Sequence, residues 1–181
     1  MEAKSASYKV ALGGVISSMS LFVMFLTSIF PAFYIAFPML AGGLLLVIVA
    51  DIGRMWAFVT YIGIGLLSLF ITPDKEAALM FIMLFGHYPI LKQLIDKLRV
   101  SFVRVLLKIA VYVVCIVAHF KFAAFLLGIE DMFIGFEFLG EYVVPILLVF
   151  STILFLMYDK LLSAYMILYT DYFKPRFLGR R

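Results

Sequence analysis

Six apolar runs follow one another along this chain with only brief polar connections: residues 10–30, 33–50, 55–71, 73–91, 109–128 and 142–158. A helix rises about 1.5 Å per residue, so it needs about 20 mostly apolar residues to cross the hydrocarbon of a bilayer. The runs sit at or slightly below that length. A soluble core cannot absorb them. The chain is 66% hydrophobic and 14% charged, with a mean hydropathy of +1.15, against about 45–50% and 25% for soluble domains. The expectation is a single all-α integral membrane domain over residues 1–181. It would be a bundle of six transmembrane helices with antiparallel neighbours and an amphipathic C-terminal tail. The first run is longer than a signal-peptide core and lacks a clear small-residue cleavage site, so it is expected to be retained. The lone Cys115 excludes a disulfide framework.

Orientation follows from the basic residues, which cytoplasmic loops retain. With both termini inside, the inner segments hold Lys4, Lys9, Arg54, Lys92, Lys97, Arg99, Arg104, Lys108, Lys160, Lys174, Arg176, Arg180 and Arg181, which is 13 of 15. Lys75 and Lys121 fall towards the outside. So do six of the 11 acids: Asp74, Glu76, Glu130, Asp131, Glu137 and Glu141. Trp56, the one tryptophan, stands at the inner start of the third run, where an interfacial indole belongs. The net charge of +4 therefore belongs to the membrane surface rather than to nucleic acid.

The stretch ITPDKEAALMFIMLFGHYPILKQ, residues 71–93, carries charges at one end and a break near the other. Thr72 is expected as the N-cap, with Pro73 at the first helical position and Asp74 and Glu76 favouring the helix dipole. Lys75 between the two acids is not explained by capping. An outer pocket facing a polar ligand would explain it. At the other end Pro89 lacks an amide hydrogen and clashes with the carbonyl of Phe85, so a kink is expected there. His87 and Tyr88 sit at that kink. Polar groups at such depth are candidates for function, or they satisfy a freed carbonyl on a neighbouring helix.

Other polar features have two readings each. In VALGGVISSMSL, the pairs Gly13/Ser17 and Gly14/Ser18 make a smooth strip for close helix approach, within the chain or against a partner subunit. Cys115 and His119 share one helical face, but with His87 they form no recognisable metal motif, and no metal is expected. Lys121 either snorkels outward, pairs with Glu130 or Glu137, or holds an anionic ligand. The outer segments 28–38 and 129–141 are rich in aromatic residues: Phe30, Phe33, Tyr34 and Phe37 in the first, Phe133, Phe136 and Phe138 in the second. They form either a lid over a ligand or an interfacial belt. Two basic amphipathic segments, 92–108 and the tail after Tyr158, are expected on the inner leaflet or against a partner helix. Asp51 beside Arg54 reads as a loop pair. There is no phosphate-binding loop, no H-E-x-x-H, no G-x-S-x-G and no paired carboxylates within a span, so no enzyme activity and no cofactor are expected.

Six short spans in 181 residues, both termini inside, and a basic start running into a small-residue first helix (YKVALGGVISSMSL) resemble the substrate-binding S component of energy-coupling-factor transporters. The resemblance covers nearly the whole chain and implies a carrier in the cell membrane. Such a carrier captures a vitamin or similar micronutrient on the outer side. It docks through its first helices to a transmembrane coupling subunit driven by two ATPase subunits. On that reading Phe33, Tyr34, Asp74, Lys75, Glu76, Lys121, Phe136 and Glu137 would contact the ligand, and Gly13, Gly14, Ser17 and Ser18 would form the docking face. His87, Tyr88 and His119 remain buried polar candidates. The family's helix-1 Ala-x-x-x-Ala contact is replaced here by the two Gly/Ser pairs, and the Met-His opening of its nickel and cobalt carriers is absent. The competing class is a structural or assembly membrane protein whose polar residues serve packing and capping. A weaker third class is an intramembrane enzyme using His87, His119 or Asp51.

Overall fold

A computed structural model describes residues 5–127 and 142–174 of the chain. Helix α1 spans Ala6–Phe25, started by the Ser5 side chain accepting from the Tyr8 amide at 3.3 Å. Two short 3-10 turns, Leu26–Ser28 and Pro31–Phe33, lead to α2, Ala36–Asp51. Helix α3 covers Arg54–Ile71 and α4 covers Lys75–Met80. A widened π segment, Phe81–Phe85, separates α4 from α5, Tyr88–Ile95. Helix α6 is Ser101–Leu127, and α7 is Val143–Leu168, prolonged by a second π segment, Tyr169–Phe173. The described residues contain no strand.

Five of these helical stretches are long and apolar enough to cross a membrane: 6–28, 54–71, 75–95, 101–126 and 143–173. The sixth expected span, α2, has 16 residues, or about 24 Å of helix against a hydrocarbon thickness of about 30 Å. It is also central. Helix α2 packs against α1, α3, α5 and α7, and Ala41, Leu45 and Ile48 are fully buried. Gly42 permits that closeness. A Cβ there would overlap the Phe85 carbonyl oxygen and stand 2.9 Å from the Tyr158 hydroxyl. The turn from α2 into α3 rests on Gly53, whose φ of +121° suits glycine alone.

The structure extends two elements beyond the expected limits. Helix α6 begins at Ser101 rather than near residue 109, so the basic lead-in is helix and Lys108 is buried within it. The expected amphipathic tail is the continuation of α7. Leu162 is buried, whereas Leu161, Leu168 and Tyr172 are exposed, so its apolar residues do not share one membrane-facing side. The reason is a second buried helix face: Phe155, Tyr158 and Leu162 belong to one continuous core stripe.

Two further expectations are corrected. The N-cap of α4 is Asp74, whose carboxylate accepts from the Ala77 amide at 3.1 Å, and not Thr72, which is buried. Pro89 does not kink a continuous helix; it lies in the first turn of α5, where a missing amide hydrogen costs nothing. The irregularity comes earlier. The Gly86 amide donates to Phe81 at 2.7 Å, one residue further back than α-helical pairing would have it. That leaves the Ile82 carbonyl free, and the Tyr61 hydroxyl of α3 donates to it at 2.7 Å.

Candidate functional site

The polar side chains gather at three levels of the bundle. At the end holding the 26–35 connection, the α3–α4 turn is built by its own charges. Asp74 caps α4. The Lys75 ammonium reaches back to the end of α3 and donates to the carbonyls of Leu69 and Thr72, at 2.7 and 2.8 Å. A cation early in α4 thus serves the negative end of α3. This gives the lysine a role that requires no ligand. Glu76, half-buried, makes no hydrogen bond or ion pair among the described residues. Tyr34 lies close enough to feel its charge: burial first, and then the Glu76 carboxylate, raise the Tyr34 phenol above its ordinary pKa. Phe33 and Phe37 pair beside it with ring centroids 5.7 Å apart. The structure therefore brings Tyr34 towards Glu76. Lys121 is exposed on α6. Phe136 and Glu137, with Phe133 and Phe138, lie outside the described residues.

At the middle level the π segment brings α4 and α6 together. His87 Nε2 and Cys115 Sγ stand 3.4 Å apart. His119, one turn further along α6, is 1% exposed, and neither ring nitrogen has a hydrogen-bond partner among the described residues. No group of three His, Cys, Asp or Glu able to hold a metal forms there. Sequence reasoning placed His87 as a possible partner for a freed carbonyl on a neighbouring helix. The freed carbonyl, that of Ile82, lies in His87's own helical stretch; Tyr61 of α3 donates to it, and His87 interacts with it as well.

The basic end holds the most extensive polar arrangement, and sequence reasoning missed it. Asp159 on α7 accepts from three groups: the Tyr88 hydroxyl at 2.6 Å, the Lys92 ammonium at 2.5 Å and the Lys108 ammonium at 2.9 Å. Asp96 completes a quartet, 3.1 Å from Lys92 and 2.7 Å from Lys108. Two cations and two anions cancel, which is what makes the burial of Lys92 and Lys108, each 5% exposed, tolerable. Immediately beyond it Tyr88 meets Phe155 edge to face and Tyr112 stacks on Phe155, at 4.6 and 4.4 Å between centroids. Tyr88 is thus a structural link between α5 and α7. The available signal was the spacing: Tyr88, Lys92 and Asp96 recur every fourth residue, as do Lys108 and Tyr112.

A second carboxylate does similar work nearby. Asp51 does not pair with Arg54 as expected. It accepts from the hydroxyls of Tyr8 at 3.0 Å and Tyr169 at 2.8 Å, and meets Lys174 at 3.0 Å. This joins the first turn of α1, the end of α2 and the extension of α7. Lys9 lies 5.7 Å over the Trp56 ring at the same level.

The small-residue strip of α1 divides in two. Gly13 faces Thr60 of α3, with its Cβ position 3.5 Å from the hydroxyl. Gly14 is exposed and nothing lies within 4 Å of its Cβ position; Ser18, also exposed, bonds back to the Gly14 carbonyl at 2.9 Å. Ser17 is half-buried. Thus Gly13 belongs to internal packing, whereas Gly14 and Ser18 are uncovered. Comparison with protein-family models, with curated proteins and with solved structures finds no match for this chain.

Proposed function

We propose that this chain is the substrate-capturing membrane subunit of an uptake transporter of the energy-coupling-factor type, multi-pass in the cell membrane with both termini cytoplasmic. It takes a small polar solute at the end where Tyr34 lies near Glu76, and it has no catalytic activity of its own. One observation carries this reading. An aromatic turn lies near a half-buried carboxylate that neither caps a helix nor pairs with a cation among the described residues. Tyr34 and Phe33 would stack against the solute, and Glu76 would fix a donor on it. The uncovered Gly14/Ser18 face of α1 supports docking to a transmembrane coupling subunit, with separate ATPases supplying energy.

The experiment is mass spectrometry of small molecules retained by the detergent-purified protein, repeated on Glu76→Gln. The reading requires a defined solute in the parent protein and its loss in the variant. A parent protein that retains no solute and supports no uptake would refute it.

A structural or assembly role is the competing reading, and one observation favours it: both charges just before Glu76, Asp74 and Lys75, already serve the ends of α4 and α3. On that reading Glu76→Gln changes neither solute content nor uptake.

A further inference from the structure

Between α2, α5 and α7 at the basic end lies a cleft of about 210 Å³. The cleft's surface is mostly apolar, and its polar part comes from one side, where Lys92, Gln93 and Asp96 of α5 line it. The other is apolar, formed by Leu162, Met166 and Ile167 of α7. Pockets that engulf a whole small molecule hold about 300–1,000 Å³. This cleft is smaller, so it suits part of a molecule whose remainder lies outside. The rim indicates where that remainder goes: Ile167 is 60% exposed, on a helix long and apolar enough to cross a membrane. In a membrane that rim residue would face lipid.

The polar wall offers both signs of charge. The Lys92 side chain is only 6% exposed, and its ammonium spends two of its three hydrogens on Asp159 and Asp96. The third remains for an incoming acceptor. The Asp96 side chain is 35% exposed and its oxygens have spare lone pairs. The Gln93 amide has no hydrogen-bond partner among the described residues. A headgroup of negative charge alone would set a second anion against Asp96. One carrying a trimethylammonium would bring no N–H for that carboxylate. A headgroup with both a phosphate and a primary ammonium matches the wall.

We propose that this cleft binds an amine-bearing zwitterionic phospholipid of the phosphatidylethanolamine type. Its phosphate accepts from Lys92 and Gln93, and its ammonium donates to Asp96. Its acyl chains run over Leu162, Met166 and Ile167 towards the bilayer. The lipid covers the side of the ion quartet that the helices leave open.

The test uses the full-length protein reconstituted with equimolar phosphatidylethanolamine, its mono-, di- and trimethylated derivatives and phosphatidylglycerol, followed by native mass spectrometry of retained lipid. The unmethylated, monomethylated and dimethylated lipids, which each keep an N–H, should be retained about fivefold over the trimethylated one, the worth of one hydrogen bond. Equal retention across the series overturns the proposal. Ser163 also lines the cleft, outside the ion quartet, with its hydroxyl bonded to the Asp159 backbone carbonyl. Ser163→Phe should fill the space and bring retention to background; retention equal to the parent's would again overturn it. If that variant does not fold, the methylation series on the parent protein decides alone. Glycerophosphoethanolamine, the same headgroup without chains, should fail to displace the lipid at millimolar concentration. Full displacement would assign the cleft to a soluble headgroup and overturn the lipid assignment.

Discussion

The Lys108 ammonium straddles the two carboxylate oxygens of Asp159, 2.9 Å from each. The residues are 51 positions apart and lie on different helices, and both side chains are largely removed from solvent. Removing one member of such a buried pair leaves an uncompensated charge, which costs about 3–5 kcal/mol. Asp159→Asn should therefore destabilise the protein by about 3 kcal/mol in thermal unfolding in detergent. Adding Lys108→Met removes the orphaned cation and should restore part of the loss. Strict additivity of the two changes would show that the pair is not coupled.

Tyr61 and Ile82 allow a narrower test of the π segment. Tyr61→Phe keeps the ring and removes the donor from the carbonyl that the widened turn leaves free. An unsatisfied buried acceptor costs about 1–3 kcal/mol, so the variant should unfold earlier by that amount. Unchanged stability would mean that another donor serves Ile82.

Lys75 should behave as a helix cap. Lys75→Gln removes the ammonium held by Leu69 and Thr72 and should lower stability by about 1–2 kcal/mol. Asp74→Ala, losing the α4 cap, should cost about 1 kcal/mol. Full stability of Lys75→Gln combined with loss of solute uptake would instead assign the lysine to the ligand.

The glycines of α1 and α2 should respond in opposite ways. Gly42→Ala places a methyl on the Phe85 carbonyl and should be strongly destabilising. Gly14→Ala meets nothing and should stabilise α1 by up to about 1 kcal/mol. Gly14→Leu should leave the isolated protein folded yet abolish co-purification with a coupling subunit. Unfolding of Gly14→Leu would remove the docking face from consideration.

Orientation can be read by labelling in intact cells. In a Cys115→Ala background, Pro73→Cys should react with an impermeant thiol reagent and Lys97→Cys should not. The reverse pattern would invert the topology.

The helices were legible because apolar runs of this length have few alternatives, although the N-cap of α4 was placed at Thr72 rather than at Asp74. The polar core was harder to read for a physical reason. Lys92 and Lys108 flank apolar runs, and such lysines normally lie in the interfacial loops, so sequence logic placed them in water. Only the meeting of three helices brings Asp159 to them and makes their burial tolerable. Nor does composition reveal that Tyr61 of α3 reaches the broken helix beside His87, because that depends on which face α3 turns towards α4. For the candidate site, Tyr34 and Glu76 were named from the sequence and the fold brings them near each other. Lys75 was named for a ligand, whereas its observed contacts are to backbone carbonyls. Phe136 and Glu137 lie outside the described residues.

The widened turn at Phe81–Phe85 also acts as a phase shift. Each extra residue in a helix rotates everything after it by about 100°. The bonding of Gly86 to Phe81 therefore sets the azimuth at which α5 emerges. With that offset, Tyr88 and Lys92 point inward to Asp159. Without it, the same side chains would be carried round the helix axis, and a lysine suited to a neutral ionic core would face hydrocarbon. The length of this one segment, counted in single residues, thus decides whether the charges of α5 are sheltered or stranded.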